Sequence, residues 1–292
     1  MVNGKLRSTS RAITKGKRVI DPKEKAISEA TSRHKAKKQE ILAKERYGVM
    51  LAHKFLEKEK RVTYPVIVQP KLDGCRAAAY RQGDVVMLVS RNGLPKRNPL
   101  VHIKEILLPL LDPNGKDFID GELYSHGLAR GKLVGICNKN TITPEYEKRT
   151  LAVYFHAFDY VRCDHPDDTF TERYEFLKQK MVNVNPIVKL VEIHDVVDRK
   201  EVMSYHDKFV SQGYEGVMIR TPDGLYQAKR SNALLKYKQF DDEEFEICGY
   251  HEGKADWEGT VIWECWYNKD EKLSFSAKQR GTKINIFILI HP

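Results

Sequence analysis

The chain has 292 residues, room for one sizeable domain and a smaller second one. Its net charge is +10, and residues 1–60 hold 17 lysines and arginines against 7 acidic residues, so the whole excess sits there. No run of 18 apolar residues and no secretory leader pattern occurs, and the five cysteines lack CxxC spacing. These features argue against a membrane span, a zinc site and a disulfide framework, and for a soluble intracellular protein.

In chain order, residues 1–22 are polar and basic without apolar periodicity and are expected to form a disordered arm. Residues 23–60, rich in Ala, Glu, Lys, Gln and Leu, are expected to be a basic helical segment broken near Gly48. Such a basic stretch is either a solvated helix or tail, or a phosphate-neutralising surface with salt-sensitive affinity for nucleic acid. From residue 61 to 240, short runs rich in Val, Ile and Tyr alternate with helical patterns, which predicts an α+β domain. Strands are expected at 66–70, 77–80, 85–90, 118–124, 151–161, 187–193, 216–220 and 234–239. Arg81-Gln82-Gly83-Asp84 reads as a hairpin turn. Helices are expected after Asn98-Pro99, reaching Leu111, and after the capping patterns Thr169/Glu172 and Asp198/Glu201, the last ending at Gly213. Residues 241–292 open as a β-meander in three segments, split by Gly253, Gly259 and Asn268-Lys269-Asp270. They close on an apolar stretch at 284–290.

The segment that points to chemistry is Lys71-Leu72-Asp73-Gly74-Cys75-Arg76, set between two apolar strands. A lysine attacks phosphorus only as the free amine, which calls for burial beside cations or a bound metal. Asp73 and Gly74 allow a tight turn, and Arg76 offers a planar donor fork for a ribose or phosphate oxygen. Glu122 and Glu215 stand at strand ends, where carboxylates can accept ribose hydroxyls or hold magnesium; taken singly, each reads as a solvated or paired carboxylate. Phe158 taken alone reads as core. Lys236 and Lys238 share one face of a period-two strand, as two cations clamping a phosphate would.

KLDGCR resembles motif I of the ATP-dependent DNA ligases, small phage and viral type, within the covalent nucleotidyltransferase superfamily of ligases and mRNA-capping enzymes. FIDGELY at 118–124, FHAFDYV at 155–161, EGVMIR at 215–220 and LLKYK at 234–238 resemble their motifs III, IIIa, IV and V in the same order. MLAHKF at 50–55 resembles the segment leading into their catalytic domain. The resemblance implies an ATP-grasp-like nucleotidyltransferase domain with antiparallel sheets over 61–240, followed by an OB-fold domain over 241–292. It implies ATP and Mg2+ as cofactors, nicked duplex DNA as partner, and work in DNA repair, replication or recombination. Residue by residue, Lys71 would be adenylated, Arg76 and Glu122 would hold the ribose, and Phe158 would stack on adenine with Gln69 near its edge. Glu215 would engage the metal, Lys236 and Lys238 the AMP phosphate, and Arg91 and Arg230 the 5′-phosphate of the nick. An RNA ligase, an mRNA guanylyltransferase and a catalytically weak nick-binding remnant are the alternative readings. AKQRGT at 277–282 resembles a third OB strand, after which the pattern departs from the family. The expectation is an incomplete OB domain, with adenylation or sealing impaired. A monomer is the default.

Overall fold

Apolar strands build two five-stranded sheets, and polar residues gathered on part of their facing surfaces make a charged cleft between them. The computed structural model describes residues 23, 27–35, 37–38, 48–96, 100–113, 117–139, 143–239, 244–253 and 259–278. The expected basic arm at 1–22, the start signal at 98–99 and the apolar stretch at 284–290 lie outside them.

The elements run β1 (Leu51–Lys54), α1 (Phe55–Lys58), β2 (Val66–Lys71), β3 (Cys75–Gln82), β4 (Val85–Val89), α2 (Val101–Leu107), β5 (Phe118–Tyr124), α3 (Arg130–Cys137), α4 (Pro144–Thr150) and β6 (Tyr154–Val161). They continue through α5 (Phe170–Lys180), β7 (Val188–Leu190), β8 (His194–Val196), α6 (Arg199–Ser211), β9 (Gly216–Arg220), β10 (Arg230–Tyr237), β11 (Ile247–Glu252), β12 (Val261–Asn268) and β13 (Leu273–Lys278). Two compact units result. One spans Thr31 to Gln239; the other holds the described residues beyond it together with those before Thr31.

In the larger unit the first sheet has the order β1-β10-β9-β2-β8 and the second β4-β3-β5-β6-β7. Both are mainly antiparallel, with one parallel pair each, β1 with β10 and β6 with β7. On the first sheet Val66, Val68, Val217, Ile219 and Leu235 pack against Val202 and Phe209 of α6 and Phe55 of α1. The residues between them, Gln69, Lys71, Met218 and Lys236, therefore point the other way. On the second sheet Ala77, Ala79, Ile119, Leu123, Phe155 and Ala157 pack on α2 and α3, which leaves Arg76, Asp120 and Glu122 on the opposite face. In β6 the register passes from Asp120↔Asp159 to Gly121↔Ala157, so Phe158 is an extra, bulged residue. That bulge takes Asp159 off the apolar face.

Asp159 is fully buried and joins three segments. It accepts from Arg173 Nε of α5 at 2.7 Å and from Arg220 Nη1 of β9 at 2.9 Å. Arg173 Nη1 also donates to the carbonyls of Asp168 (2.7 Å) and Gly224 (3.1 Å). Helix α5 starts with the expected capping box, Thr169 and Glu172 bonding each other's backbone N–H. At α6 the Asp198 side chain caps Glu201 N at 2.8 Å, while Glu201 reaches back to Val197 N. The Gly83-Asp84 loop pairs Gln82 with Val85, with Gly83 at φ +60° as such a hairpin requires.

Several expectations shift. Residues 51–54 form a strand in the first sheet where a helix was expected, because Leu51 to Lys54 pair with Arg230 to Lys236. Residues 144–150 form a helix behind a Thr143 cap and Pro144, so the strand expected from 151 starts at 154. The strand expected at 187–193 is shorter, Val188–Leu190 (β7) in the second sheet, and β8 follows beyond the expected run at His194–Val196, in the first. Helix α3 carried no cap signal and was not anticipated. In the smaller unit β11, β12 and β13 form the expected antiparallel meander of the OB type, in the order β11-β12-β13. No helix among the described residues is long and apolar enough to cross a membrane.

Removing the buried carboxylate in Asp159→Ala strands two buried guanidinium groups and is expected to cost about 3–5 kcal/mol. Thr169→Ala, which loses one cap, is expected to cost about 1 kcal/mol. Denaturant unfolding of both variants checks the ranking, and equal losses would show that Asp159 does not tie the sheets together.

Candidate active site

A cleft of about 510 Å³ opens between the two sheets. Gln69, Lys71, Arg76, Arg91, Glu122, Phe158, Glu215, Arg230, Lys236 and Lys238 all line it. Ten residues spread over about 170 positions thus meet at one surface.

At one end stands Lys71, the last residue of β2, paired with Gly216 of β9. Its Nζ donates to Glu215 Oε2, and Lys238 Nζ donates to Glu215 Oε1 at 2.6 Å. Burial opposes the Glu215 charge, but the hydrogen bonds from Lys238 and Lys71 outweigh it and hold the carboxyl below its ordinary pKa. Gly216 is needed here, since a Cβ would lie 2.4 Å from Tyr237 O. Lys236 has no carboxylate partner among the described residues. Burial, then Lys71, Arg230, Arg91 and Lys238, lower its pKa. Five cations with one carboxylate make an anion site. Arg91 and Arg230 are exposed at its rim, where Arg230 donates to Ala52 O of β1. Lys238 lies one residue past the end of β10.

The other end is aromatic and amide-lined. The Phe158 ring has the Arg76 guanidinium 4.6 Å from its centroid and that of Arg220 at 5.4 Å. Gln69 is buried, its Oε1 accepting from Arg220 Nε at 2.8 Å, while its Nε2 lacks a partner. Its amide is therefore oriented with a donor to spare. Arg76 gives Nε and Nη2 to Asp120, at 2.6 and 2.5 Å. Burial works against the Arg76 charge, yet Asp120 raises its pKa overall.

Between the ends Glu122 stands opposite Arg76 across β3 and β5. Burial pushes its carboxyl up to about 8, although Arg76 and Lys71 pull the other way. At Gly74 a Cβ would come within 2.4 Å of Leu123 O and 2.6 Å of Glu122 Cγ, so the lysine-bearing turn lies directly on β5.

Asp120, Asp159, Arg173 and Arg220 were not singled out by the sequence, although they hold Arg76, Phe158 and Gln69 in place. Asp120 and Asp159 sit inside FIDGELY and FHAFDYV, and a charged residue in an apolar strand was the available signal. Arg173 carried none, being one charge among several on an amphipathic helix.

Residues 49–238 match the family described as the ATP dependent DNA ligase domain, about two thirds of the chain. The chain belongs to this family. It is 29% identical over 228 residues to a DNA ligase of African swine fever virus, covering 75% of this chain and 52% of that protein. To the DNA ligase of Enterobacteria phage T4 it is 29% identical over 252 residues, covering 71% and 51%. The chain thus spans about half the length of these curated relatives. Among solved structures, a Lig E DNA ligase superposes with a TM-score of 0.65 at 23% identity, covering 82% of this chain and 86% of that one. The Chlorella virus DNA ligase-adenylate does so with 0.52 at 26%, covering 78% and 83%. The nucleotidyltransferase fold expected from the motifs is therefore the fold of the larger unit.

The residues present suit ATP. The spare donor of Gln69 would suit a ring nitrogen acceptor, Phe158 would offer a stacking face, and the cation cluster would suit phosphates. They also suit magnesium, which is held through one or two carboxylates together with substrate phosphates, and Glu215 is the carboxylate nearest that cluster.

The raised Glu122 carboxyl makes stability depend on pH. The folded state holds this proton more tightly than the unfolded chain, so its contribution is full below about pH 4.5 and is lost as pH rises through about 8. Glu122→Gln copies the protonated form. Melting curves from pH 5 to 8.5 are expected to fall more steeply for wild type than for this variant, and parallel curves would remove Glu122 as the cause.

Proposed function

We propose that this chain is an ATP-dependent DNA ligase that seals 3′-hydroxyl/5′-phosphate nicks in duplex DNA through a lysyl-AMP intermediate on Lys71. Support comes above all from the single cleft that holds a strand-end lysine paired to Glu215, a cation cluster, and an aromatic and amide base pocket. Membership of the family, and relatives named as DNA ligases, agree with it.

In the first transfer the Lys71 lone pair forms an N–P bond to the α-phosphorus of ATP, and the bond from that phosphorus to the pyrophosphate oxygen breaks. The Lys71 proton has an acceptor in Glu215 Oε2, to which Nζ already donates. Lys236 and Lys238 balance charge on the transferring phosphoryl group. Arg76 and Glu122 take the ribose hydroxyls, and Phe158 the adenine face. Magnesium, when bound by Glu215 and the phosphates, supplies positive charge to the leaving pyrophosphate. AMP then passes to the 5′-phosphate of the nick, held by Arg91 and Arg230, and the 3′-hydroxyl displaces it. The basic residues of 1–60 add phosphate contacts that hold the duplex. The protein acts as a soluble intracellular monomer.

Incubation with α-labelled ATP is expected to label wild type and leave Lys71→Ala unlabelled, with loss of sealing of nicked DNA. Labelling by GTP alone would turn the reading to a guanylyltransferase. Sealing of nicked RNA but not nicked DNA would turn it to an RNA ligase.

A further inference from the structure

The loop joining β9 to β10 sends one aromatic side chain back into the gap between the sheets. The Tyr226 hydroxyl donates to Asp120 Oδ2 at 2.6 Å and accepts from Met50 N at 3.0 Å. Asp120 is fully buried, and the same Oδ2 also accepts from Arg76 Nη2, while Oδ1 accepts from Arg76 Nε. Arg76 Nη2 reaches Met50 O as well, at 3.3 Å. Three chain segments remote in sequence thus converge on one guanidinium: residue 50, β5 and the β9–β10 loop.

The geometry has a directional consequence. Two Asp120 oxygens fix the plane of the Arg76 fork, and the Tyr226 hydroxyl fixes the rotation of the Asp120 carboxylate. That plane sets the face Arg76 lays over Phe158, 4.6 Å from the ring centroid. It also sets where the remaining nitrogen, Nη1, points. The Tyr226 ring is placed separately, edge-on to Phe118 with centroids 5.5 Å apart and 5.5 Å from the Arg173 guanidinium. Loss of the hydroxyl alone therefore leaves the ring seated. Burial and the neighbouring Asp120 raise the Tyr226 pKa well above its usual value, so the hydroxyl keeps its proton as a donor.

We propose that Tyr226 is a positioning residue for the nucleotide: through Asp120 it orients Arg76 and so sets the contact between Arg76 and the ribose hydroxyls. The inference rests on the cleft being the AMP pocket. It differs from that reading in assigning part of ribose recognition to a residue that itself touches no nucleotide.

The test is equilibrium binding of ATP, 2′-deoxy-ATP and 3′-deoxy-ATP to wild type and Tyr226→Phe by calorimetry, without divalent metal so that no adenylation occurs. Tyr226→Phe is expected to melt within a few degrees of wild type and to bind ATP about 3–10-fold more weakly. With at least one deoxy analogue the penalty is expected to shrink below about twofold, because the hydroxyl that Arg76 would contact is gone. A purely structural role would weaken all three nucleotides alike, and that result, or an unchanged affinity for ATP, overturns the inference while leaving the pocket intact. Failure of wild type to bind ATP at all overturns the AMP-pocket reading and this inference with it.

Discussion

The cleft depends on one buried carboxylate. Asp159 has no contact with solvent, yet it accepts from an arginine of α5 and from one of the first sheet while lying in the second. Beside the apolar packing of Leu51 and Tyr226 on Ala78, Tyr80 and Phe118, and of Ile67 on Phe170 and Tyr174, this ion network ties the sheets together, and a network of that kind holds only when its members are satisfied. Arg173 gives Nη1 to the carbonyls of Asp168 and Gly224, and Arg220 gives Nε to Gln69. The end of the cleft around Phe158 and Gln69 is thus assembled from the same bonds that hold the sheets at their spacing. A separate set of interactions for binding is not needed at that end.

Charge is divided unevenly along the cleft. At the Phe158 end three guanidinium groups, Arg76, Arg173 and Arg220, face two carboxylates, Asp120 and Asp159, which is close to balance. At the Lys71 end Lys71, Lys236, Lys238, Arg91 and Arg230 gather near Glu215. A ligand neutral at one end and highly anionic at the other matches this gradient, which a nucleoside triphosphate is. The half-buried Glu122 lies at the transition, where burial favours its protonated form and the neighbouring cations favour the ionised one.

Much of this was legible in the sequence because the strands carrying the motifs are short, apolar and bounded. The strand at 118–124 and that at 216–220 have the limits expected of them, and the residues of the cleft alternate with core residues as period two demands. What escaped depends on contacts across the chain. Residues 51–54 became a strand because β10 offered an edge, against a local composition favouring helix. The bulge at Phe158 left no mark in the sequence, yet it explains how Phe158 and Asp159 both leave the core face that Phe155 and Ala157 keep. Tyr226 lies in a loop, where pattern says little, and its role is visible only through Asp120 and Met50.

The spacing of KLDGCR follows from the two-sheet plan. Lys71 ends a strand of the first sheet and Arg76 sits near the start of a strand of the second, so Leu72-Asp73-Gly74 is a crossing between sheets rather than a hairpin. A second crossing, between β7 and β8, runs beside it through Val191, which also lines the cleft. Two crossings at one end pin the separation of the sheets where Lys71 stands. The crossing must be short, or Lys71 and Arg76 would move independently. It must also contain a residue without a side chain, because it passes over Glu122 and Leu123 at a distance no Cβ tolerates. A lysine anchored by one sheet and an arginine anchored by the other are then held close by a short backbone crossing, while Asp120 orients the Arg76 side chain. That is the condition for presenting an amine to one atom of a ligand whose far end is gripped elsewhere.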